Sequence, residues 1–314
     1  KKYRPDIIYT EGLDSLSIAV RYTRRALCKI IYEVADLRES FIETPCSITA
    51  RILTRFIKNK EINLFRYVDK LVITSEKFYD IHYNRLISKD NVILMPNIPD
   101  EEPLKNYFKK KNGMFTVGFI GGIRYLKQMK MLVDAAEIVG CNVLFAGAGG
   151  TNYDYEQITD YCKDKRYVTF TGRYIYNTDI AKLYGMVDCV YAVYDADNPN
   201  VRIALPNKLY EAVYCNLPII VAKNTYLSQV VENWGVGISV NHNDTNDLVY
   251  QFIQLFYAIS RLAVAFAGMP DIVVALIPCS RFPHDSPVFS DTLSSAGGQR
   301  QAASAVPAVD IAYQ

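Results

Sequence analysis

Short, nearly continuous apolar runs alternate along the first hundred residues with longer stretches in which apolar residues have helical spacing. The apolar runs predict strands over residues 5–9, 29–34, 70–74 and 92–95. The stretches between them predict helices over 13–25, within 44–65 and over 76–86. Strands that alternate with helices in this way favour an α/β fold with a parallel, doubly wound sheet.

A second series of strands begins at Phe115, after a polar segment rich in turn-forming residues. We predict its further strands near residues 143–146, 168–170, 188–193, 218–222 and 236–240. The polar segment 101–113 contains Lys109-Lys110-Lys111 followed by Asn112-Gly113, which is typical of a linker. We therefore expect a partial N-terminal domain over 1–100, a linker over 101–113 and a C-terminal domain over 114–257.

The composition changes abruptly after residue 257. Residues 258–314 contain no Lys, Glu or Asn, although these are frequent before that point. This atypical tail indicates either a different coding origin, such as a frameshift or fusion, or a natural low-complexity segment, and residues 284–310 have the composition of disorder.

Charge and cysteine content exclude several classes of protein. The net charge is +2 in 314 residues, too small to indicate a nucleic-acid partner. The seven cysteines are odd in number and show no C-x-x-C spacing, which argues against a disulfide framework or a zinc site and favours the cytoplasm. The basic segments 21–25 and 51–60 are compatible with peripheral contact to an anionic membrane surface, through the N-terminal domain.

One segment carries a specific chemical expectation. Residues 206–213 predict a short helix that opens on Pro206, followed by an apolar strand. The free N–H groups of a helix start favour phosphate, and Glu211, one turn later, could accept hydrogen bonds from a ribose. The alternative is an ordinary helix and strand with a surface glutamate.

The run from Pro206 to Glu211, with Leu217-Pro218-Ile219-Ile220, resembles the donor-site signature of GT-B glycosyltransferases of the family 4 type. Further segments resemble that family in the expected order, over about residues 4–257. They are 4–9, 31–37, 68–76, 92–97, 117–127, 143–149, 168–173, 180–184 and 187–190.

The resemblance implies a GT-B fold with two Rossmann-like domains, the N-terminal one incomplete because family members carry further βα units before this point. It implies sugar transfer from a UDP- or GDP-linked donor to a glycan or lipid-linked acceptor, in polysaccharide or glycoconjugate synthesis. Retention of the anomeric configuration is expected as the habit of the family. No metal or cofactor is expected. The expected catalytic residues are Lys127, Glu211 and Asp36. The expected donor-binding residues are Gly121, Gly122, Arg124, Gly147, Gly149, Arg173, Pro206, Asn207, Lys208 and Leu209.

Two departures from the family pattern leave alternatives open. Ile203 stands where many members have a glutamate that contacts the donor sugar, and Asp195, Asp197 and Asn198 could substitute for it, with Arg202 a candidate for an acidic sugar group. A non-catalytic remnant that only binds nucleotide-sugar is therefore one alternative, and a GT-B nucleotide-sugar epimerase is another. A nicotinamide enzyme is a weaker one, because the glycines at 147–150 lack the spacing of a dinucleotide fingerprint.

Overall fold

The computed structural model describes residues 4–23, 27–37, 48–110, 113–149 and 152–265. The strands are β1 Ile7–Glu11, β2 Lys29–Val34, β3 Lys70–Ile73, β4 Val92–Leu94, β5 Thr116–Ile120, β6 Asn142–Ala146, β7 Val168–Gly172, β8 Cys189–Ala192, β9 Ile219–Ala222 and β10 Gly237–Val240. The helices are α1 Gly12–Thr23, α2 Ile48–Phe65, α3 Glu76–Phe78, α4 Leu126–Val139, α5 Asn152–Tyr161, α6 Tyr176–Gly185, α7 Pro199–Ile203, α8 Asn207–Tyr214, α9 Tyr226–Trp234 and α10 Thr245–Ala265.

These strands form two separate parallel sheets. The N-terminal sheet has the order β1-β2-β3-β4, and the C-terminal sheet has the order β10-β9-β8-β5-β6-β7. In the second sheet the strand order reverses between β5 and β8, and in open α/β sheets ligands bind beyond the carboxyl ends of the strands at such a point. The α/β, doubly wound fold predicted from the apolar pattern is confirmed.

The central strands of the C-terminal sheet are buried on both faces. Every residue of β8 and β9 is buried, which explains why these strands appear in the sequence as unbroken apolar runs. Val117 and Phe119 of β5 contribute to the core on one face, while Ile120 contributes to the core on the other. This rigid sheet holds the loop that follows β5 at the switch point.

The N-terminal sheet packs one face against α1 and α2. Ile30, Tyr32 and Leu71 on this face form a core with Leu16 of α1 and Phe65 of α2. The sheet thereby holds the loops that follow β2 and β3 at its carboxyl edge.

Most predicted elements are found with shifted ends. The helix predicted over 76–86 is only α3, followed by a π-helical turn at Tyr79–Tyr83. The helix predicted to open on Pro206 starts at Asn207, with Pro206 as its N-cap in extended conformation. Within the expected linker, Leu104 is buried in the core of the C-terminal domain.

The expected tail lies mostly outside the described residues. The backbone of α10 continues past the predicted boundary at 257 as far as Ala265, and residues 266–314 are not described. In the described part of the chain, no helix combines the length and the apolar character that crossing a bilayer requires.

Candidate active site

A glycine turn follows β5 at the switch point of the C-terminal sheet. Gly121 has φ of 138°, a backbone conformation that favours glycine. A Cβ on Gly121 would also lie 2.6 Å from Nζ of Lys208. Glycine at this position therefore leaves the space that the end of the Lys208 side chain occupies.

Lys208 lies in the first turn of α8. Its Nζ is 4.7 Å from the ring centroid of Phe119 and 5.6 Å from that of Tyr194. A cation over two aromatic faces is held by the electrostatic attraction of the rings, and the half-buried position reduces its freedom. Lys208 thus places its charge at the edge where α8 begins, so the ammonium adds to the partial positive charge of the helix start.

A cleft of about 290 Å³ opens in front of this turn, and both sheets contribute to its wall. From the C-terminal domain, Gly122, Arg124 and Pro206 line it together with Lys208. Five of the predicted site residues thus lie together, since Asp36 lines the same cleft from the N-terminal side.

Asp36 is bound directly to the opposite domain. Its Oδ1 accepts a hydrogen bond of 2.5 Å from Nδ2 of Asn200, on α7. The Oδ1 of Asn200 in turn accepts from the backbone N–H of Leu37 at 2.9 Å. One amide side chain therefore connects the loop after β2 to the far wall of the cleft.

Ile203, at the end of α7, is a second connection between the two halves. Its side chain is 2% exposed and packs into the core of the N-terminal sheet. Its carbonyl accepts a hydrogen bond of 2.7 Å from the buried hydroxyl of Ser75. The position where the family pattern has a sugar-contacting glutamate is thus an apolar contact between domains.

Glu211 is buried, with 4% of its surface exposed, and is not among the residues that line the cleft. Its Oε1 accepts a hydrogen bond of 2.8 Å from the Tyr176 hydroxyl, and its Oε2 accepts one from the Tyr184 hydroxyl. Burial, and then the nearby Glu211 carboxylate, raise the pKa of both tyrosines above the usual 10.0. The surface-glutamate alternative is wrong, and contact with a ribose stays a prediction.

The other predicted residues lie at or near the same edge but outside the cleft wall. Lys127, in the first turn of α4, and Arg173, after β7, are exposed. Gly147 has φ of 135° and is packed against the Gly121 carbonyl, so it supports the glycine turn from behind. Gly149 forms an isolated parallel β-bridge with Ile123. Among the first residues of α8, Asn207 is half-buried and Leu209 is fully buried in the core.

The candidates for sugar recognition between residues 195 and 202 make several contacts within that segment. Nε of Arg202 donates to the Ala196 carbonyl at 2.7 Å, and Asn198 caps α7. Asp195, Asp197 and His242 each offer one ligand atom within 4.8 Å of one another, an arrangement that could hold a cation. The guanidinium of Arg202, 3.7 Å from Asp197, already places positive charge there.

Tyr125 and Asn200 are cleft residues that the sequence analysis missed. Tyr125 is a non-glycine residue with φ of 62°, a strained conformation that often accompanies functional sites. Its ring centroid is 5.4 Å from that of Tyr194, and burial raises its pKa. Tyr125 lies between Arg124 and Lys127 in the sequence, so the loop itself was the available signal.

The C-terminal part of the chain matches a known protein family. Residues 114–257 match the family described as "Glycosyl transferases group 1". The succinoglycan biosynthesis protein ExoL of Rhizobium meliloti (strain 1021) is 22% identical over 263 residues. That match covers 78% of this chain and 62% of ExoL, so the chain spans about three fifths of its curated relative.

Solved structures share the fold over both sheets. A sucrose-phosphate synthase from Thermosynechococcus elongatus aligns with a TM-score of 0.63 and 17% identity, covering 82% of this chain and 65% of the synthase. Anabaena HepE, crystallised with UDP-glucose, aligns with a TM-score of 0.62 and 17% identity, covering 82% and 71%. The predicted GT-B fold and the resemblance to group 1 glycosyltransferases are confirmed.

Proposed function

We propose that this chain transfers a sugar from a nucleoside-diphosphate sugar to an acceptor hydroxyl. The family match over residues 114–257 supports this reaction class. The observation that carries the proposal is the Lys208 ammonium, fixed over Gly121 where α8 begins. The diphosphate would bind there, with Arg124 as a further cation on the cleft wall.

The proposed step needs charge stabilisation at the leaving group. The bond between the anomeric carbon and the diphosphate oxygen breaks, and its electron pair leaves with the nucleoside diphosphate. A new bond forms from the acceptor oxygen to the same carbon, and the acceptor proton passes to the leaving diphosphate. Cations and helix N–H groups aimed at that developing charge typically contribute about 3–4 kcal/mol each to lowering the barrier.

The donor and acceptor are proposed on weaker support. Anabaena HepE has been crystallised with UDP and with UDP-glucose, so UDP is the first nucleotide to test and GDP the second. ExoL is named for succinoglycan synthesis, which supports a glycan or lipid-linked acceptor in a polysaccharide pathway. Retention of anomeric configuration is part of the proposal, and proton NMR of the first-formed product tests it.

Calorimetric titration with UDP and GDP tests the donor site. Wild type is expected to bind one of them with micromolar affinity, and Lys208→Met is expected to weaken this binding at least tenfold. Lys182→Met is the matched control, since Lys182 is an exposed lysine on α6 and is not part of the cleft wall. Equal affinity in the two variants would contradict the proposed diphosphate site.

A non-catalytic nucleotide-sugar-binding protein is the second candidate. The observation that favours it is Ile203, buried where a polar sugar contact is expected from the family pattern. Release of UDP from UDP-glucose in the presence of polysaccharide or lipid-linked acceptors separates the two candidates. Tight binding without release favours the second, and release of a free epimer would instead indicate an epimerase.

The site of action is also a proposal. A cytoplasmic location follows from the donor, because nucleotide-sugars are made there, and the reduced cysteines predicted from the sequence agree with it. Fractionation of cells that express the chain, followed by detection in the soluble and membrane fractions, tests this location.

A further inference from the structure

An apolar stripe runs along the first half of α2 on the side that faces away from the protein. Ile48, Ile52 and Phe56 are spaced four residues apart, and their side chains are 75%, 65% and 65% exposed. Residues at this spacing lie above one another on a helix. We call this side, with the cations beside it, the outward face of α2.

The opposite side of α2 holds the helix in place. Phe65 is buried and stacks on Tyr83, with ring centroids 5.2 Å apart. Oε1 of Glu61 accepts hydrogen bonds of 2.8 Å from the Tyr32 hydroxyl and 3.0 Å from the Tyr83 hydroxyl. The core formed by the described residues therefore does not use the exposed apolar stripe.

Exposed cations of α2 accompany the stripe. Arg51, Arg55 and Lys58 are exposed and, at helical spacing, form a row next to the apolar residues. Glu61 is the only acidic residue in the 18-residue helix, and it points inward to the two tyrosines. Among the residues of α2 itself, the outward face thus combines large apolar side chains with positive charge.

The neighbouring helix extends this surface. α1 packs beside α2, and its Ile18 is 68% exposed, one turn before the exposed Arg21. Both helices contribute to the core on the same face of the N-terminal sheet. The basic residues at 24 and 25 lie outside the described residues.

We propose that the outward face of α2 binds the surface of an anionic phospholipid bilayer. A helix with apolar residues beside a cationic row lies in the interface of such a bilayer, its apolar side chains below the headgroups and its cations among the phosphates. A second copy of the chain fits less well, because a symmetric contact through this face would set one cationic row against another. The proposal concerns a surface separate from the cleft, so it stands or falls independently of sugar transfer.

Vesicle flotation with the purified full chain tests this proposal. The two vesicle types are phosphatidylcholine alone and an equal mixture of phosphatidylcholine and phosphatidylglycerol. Wild type is expected to float with the mixed vesicles, less so as salt is raised, and to stay behind with the neutral ones. Reversing two charges, Arg51→Glu with Arg55→Glu, is expected to weaken binding about tenfold or more.

Further variants separate the apolar and the charged contributions. Ile52→Ser with Phe56→Ser is expected to reduce flotation while circular dichroism stays unchanged, since these side chains are exposed. Lys163→Glu with Arg166→Glu is the matched control for charge, because both residues are exposed on the C-terminal domain and should leave flotation intact.

Three results would overturn the proposal. One is equal flotation with neutral and anionic vesicles, and another is wild-type flotation by the charge-reversed variant. The third is dimerisation in sedimentation measurements without lipid that is lost in the serine variant, which would assign the face to a second copy of the chain.

Discussion

Removing the Glu211 carboxylate tests whether this residue stabilises the donor domain or contacts the donor. Glu211 accepts hydrogen bonds from two tyrosine hydroxyls on α6, at 2.8 Å from Tyr176 and closely from Tyr184. It therefore connects α8, which carries Lys208 in its first turn, to the neighbouring helix. Glu211→Ala would leave both hydroxyls without this acceptor.

The expected cost follows from these contacts. A hydrogen bond to a charged group contributes about 1.5–3 kcal/mol, and a buried hydroxyl left without a partner costs about 1–3 kcal/mol. Tyr184 is fully buried, so water cannot replace the carboxylate there. We expect Glu211→Ala to lower the free energy of unfolding by about 3–5 kcal/mol. Glu211→Gln keeps the volume and can still pair with both hydroxyls, so its expected cost is about 1–2 kcal/mol.

Urea unfolding followed by the fluorescence of Trp234, the single tryptophan, measures this cost in the donor domain. Glu156→Ala is the control, since Glu156 is exposed on α5 and its removal should change stability by no more than about 0.5 kcal/mol. In a double-mutant cycle, Glu211→Ala and Tyr184→Phe together should cost less than the sum of the two by about 1–2 kcal/mol.

The same variants distinguish a structural hydrogen-bond contact between α8 and α6 from a contact with the ribose of the donor. If the role of Glu211 is structural, Glu211→Gln should retain nucleotide affinity within about threefold, because the start of α8 stays in place. A large loss of affinity in Glu211→Gln, with a loss of stability in Glu211→Ala below about 1 kcal/mol, would refute the reasoning from burial.

Four further outcomes are expected. Asn200→Ala removes both hydrogen bonds of its side chain across the cleft and should speed hydrogen exchange of the amides after β2 in mass spectrometry, whereas unchanged exchange would count against the connection. The raised pKa of Tyr184 means that the folded protein favours the neutral hydroxyl. The contribution of this group to the free energy of unfolding is therefore fully present below pH 10.0 and is lost as the pH rises through the pKa of Tyr184 in the folded protein. Urea unfolding at increasing pH should show this decline, and Tyr184→Phe should flatten it. A Cβ on Gly147 would lie 2.0 Å from the Gly121 carbonyl, so Gly147→Ala should lower the melting temperature, and an unchanged value would show that the turn is free to shift. Ile203→Glu should destabilise the fold by about 3–5 kcal/mol in urea, because it buries an unpaired charge, and wild-type stability would contradict that burial.

Most strands could be predicted because parallel strands buried on both faces leave an unbroken apolar run in the sequence. β8 and β9 are examples, since all their residues are buried. The glycine turn and the start of α8 were predictable for a related reason, because glycine and proline constrain the backbone locally. Helix ends were less accurate, as at Pro206, where the same local preference fits either the N-cap or the first helical position.

The environment of Glu211 could not be read from the sequence. Its two tyrosine partners are 27 and 35 positions away, and the hydrogen bonds of Asn200 join residues more than 160 positions apart. No local pattern encodes contacts of that kind, because they depend on how two elements are brought together by the fold. The burial of Glu211 and the role of Asn200 therefore required the structure.

The position of Ile203 changes what the cleft can recognise. Because this side chain belongs to the core of the N-terminal sheet, α7 connects the two halves and cannot also present residue 203 to a sugar. The loop candidates Asp197 and Arg202 lie beside each other away from the cleft wall. Arg124 and the strained Tyr125 are polar residues of the wall, and they lie in the same loop. If the chain binds a nucleotide-sugar, discrimination between sugars is expected to depend on this loop, and comparison of UDP with UDP-glucose in an Arg124→Met variant would measure how much.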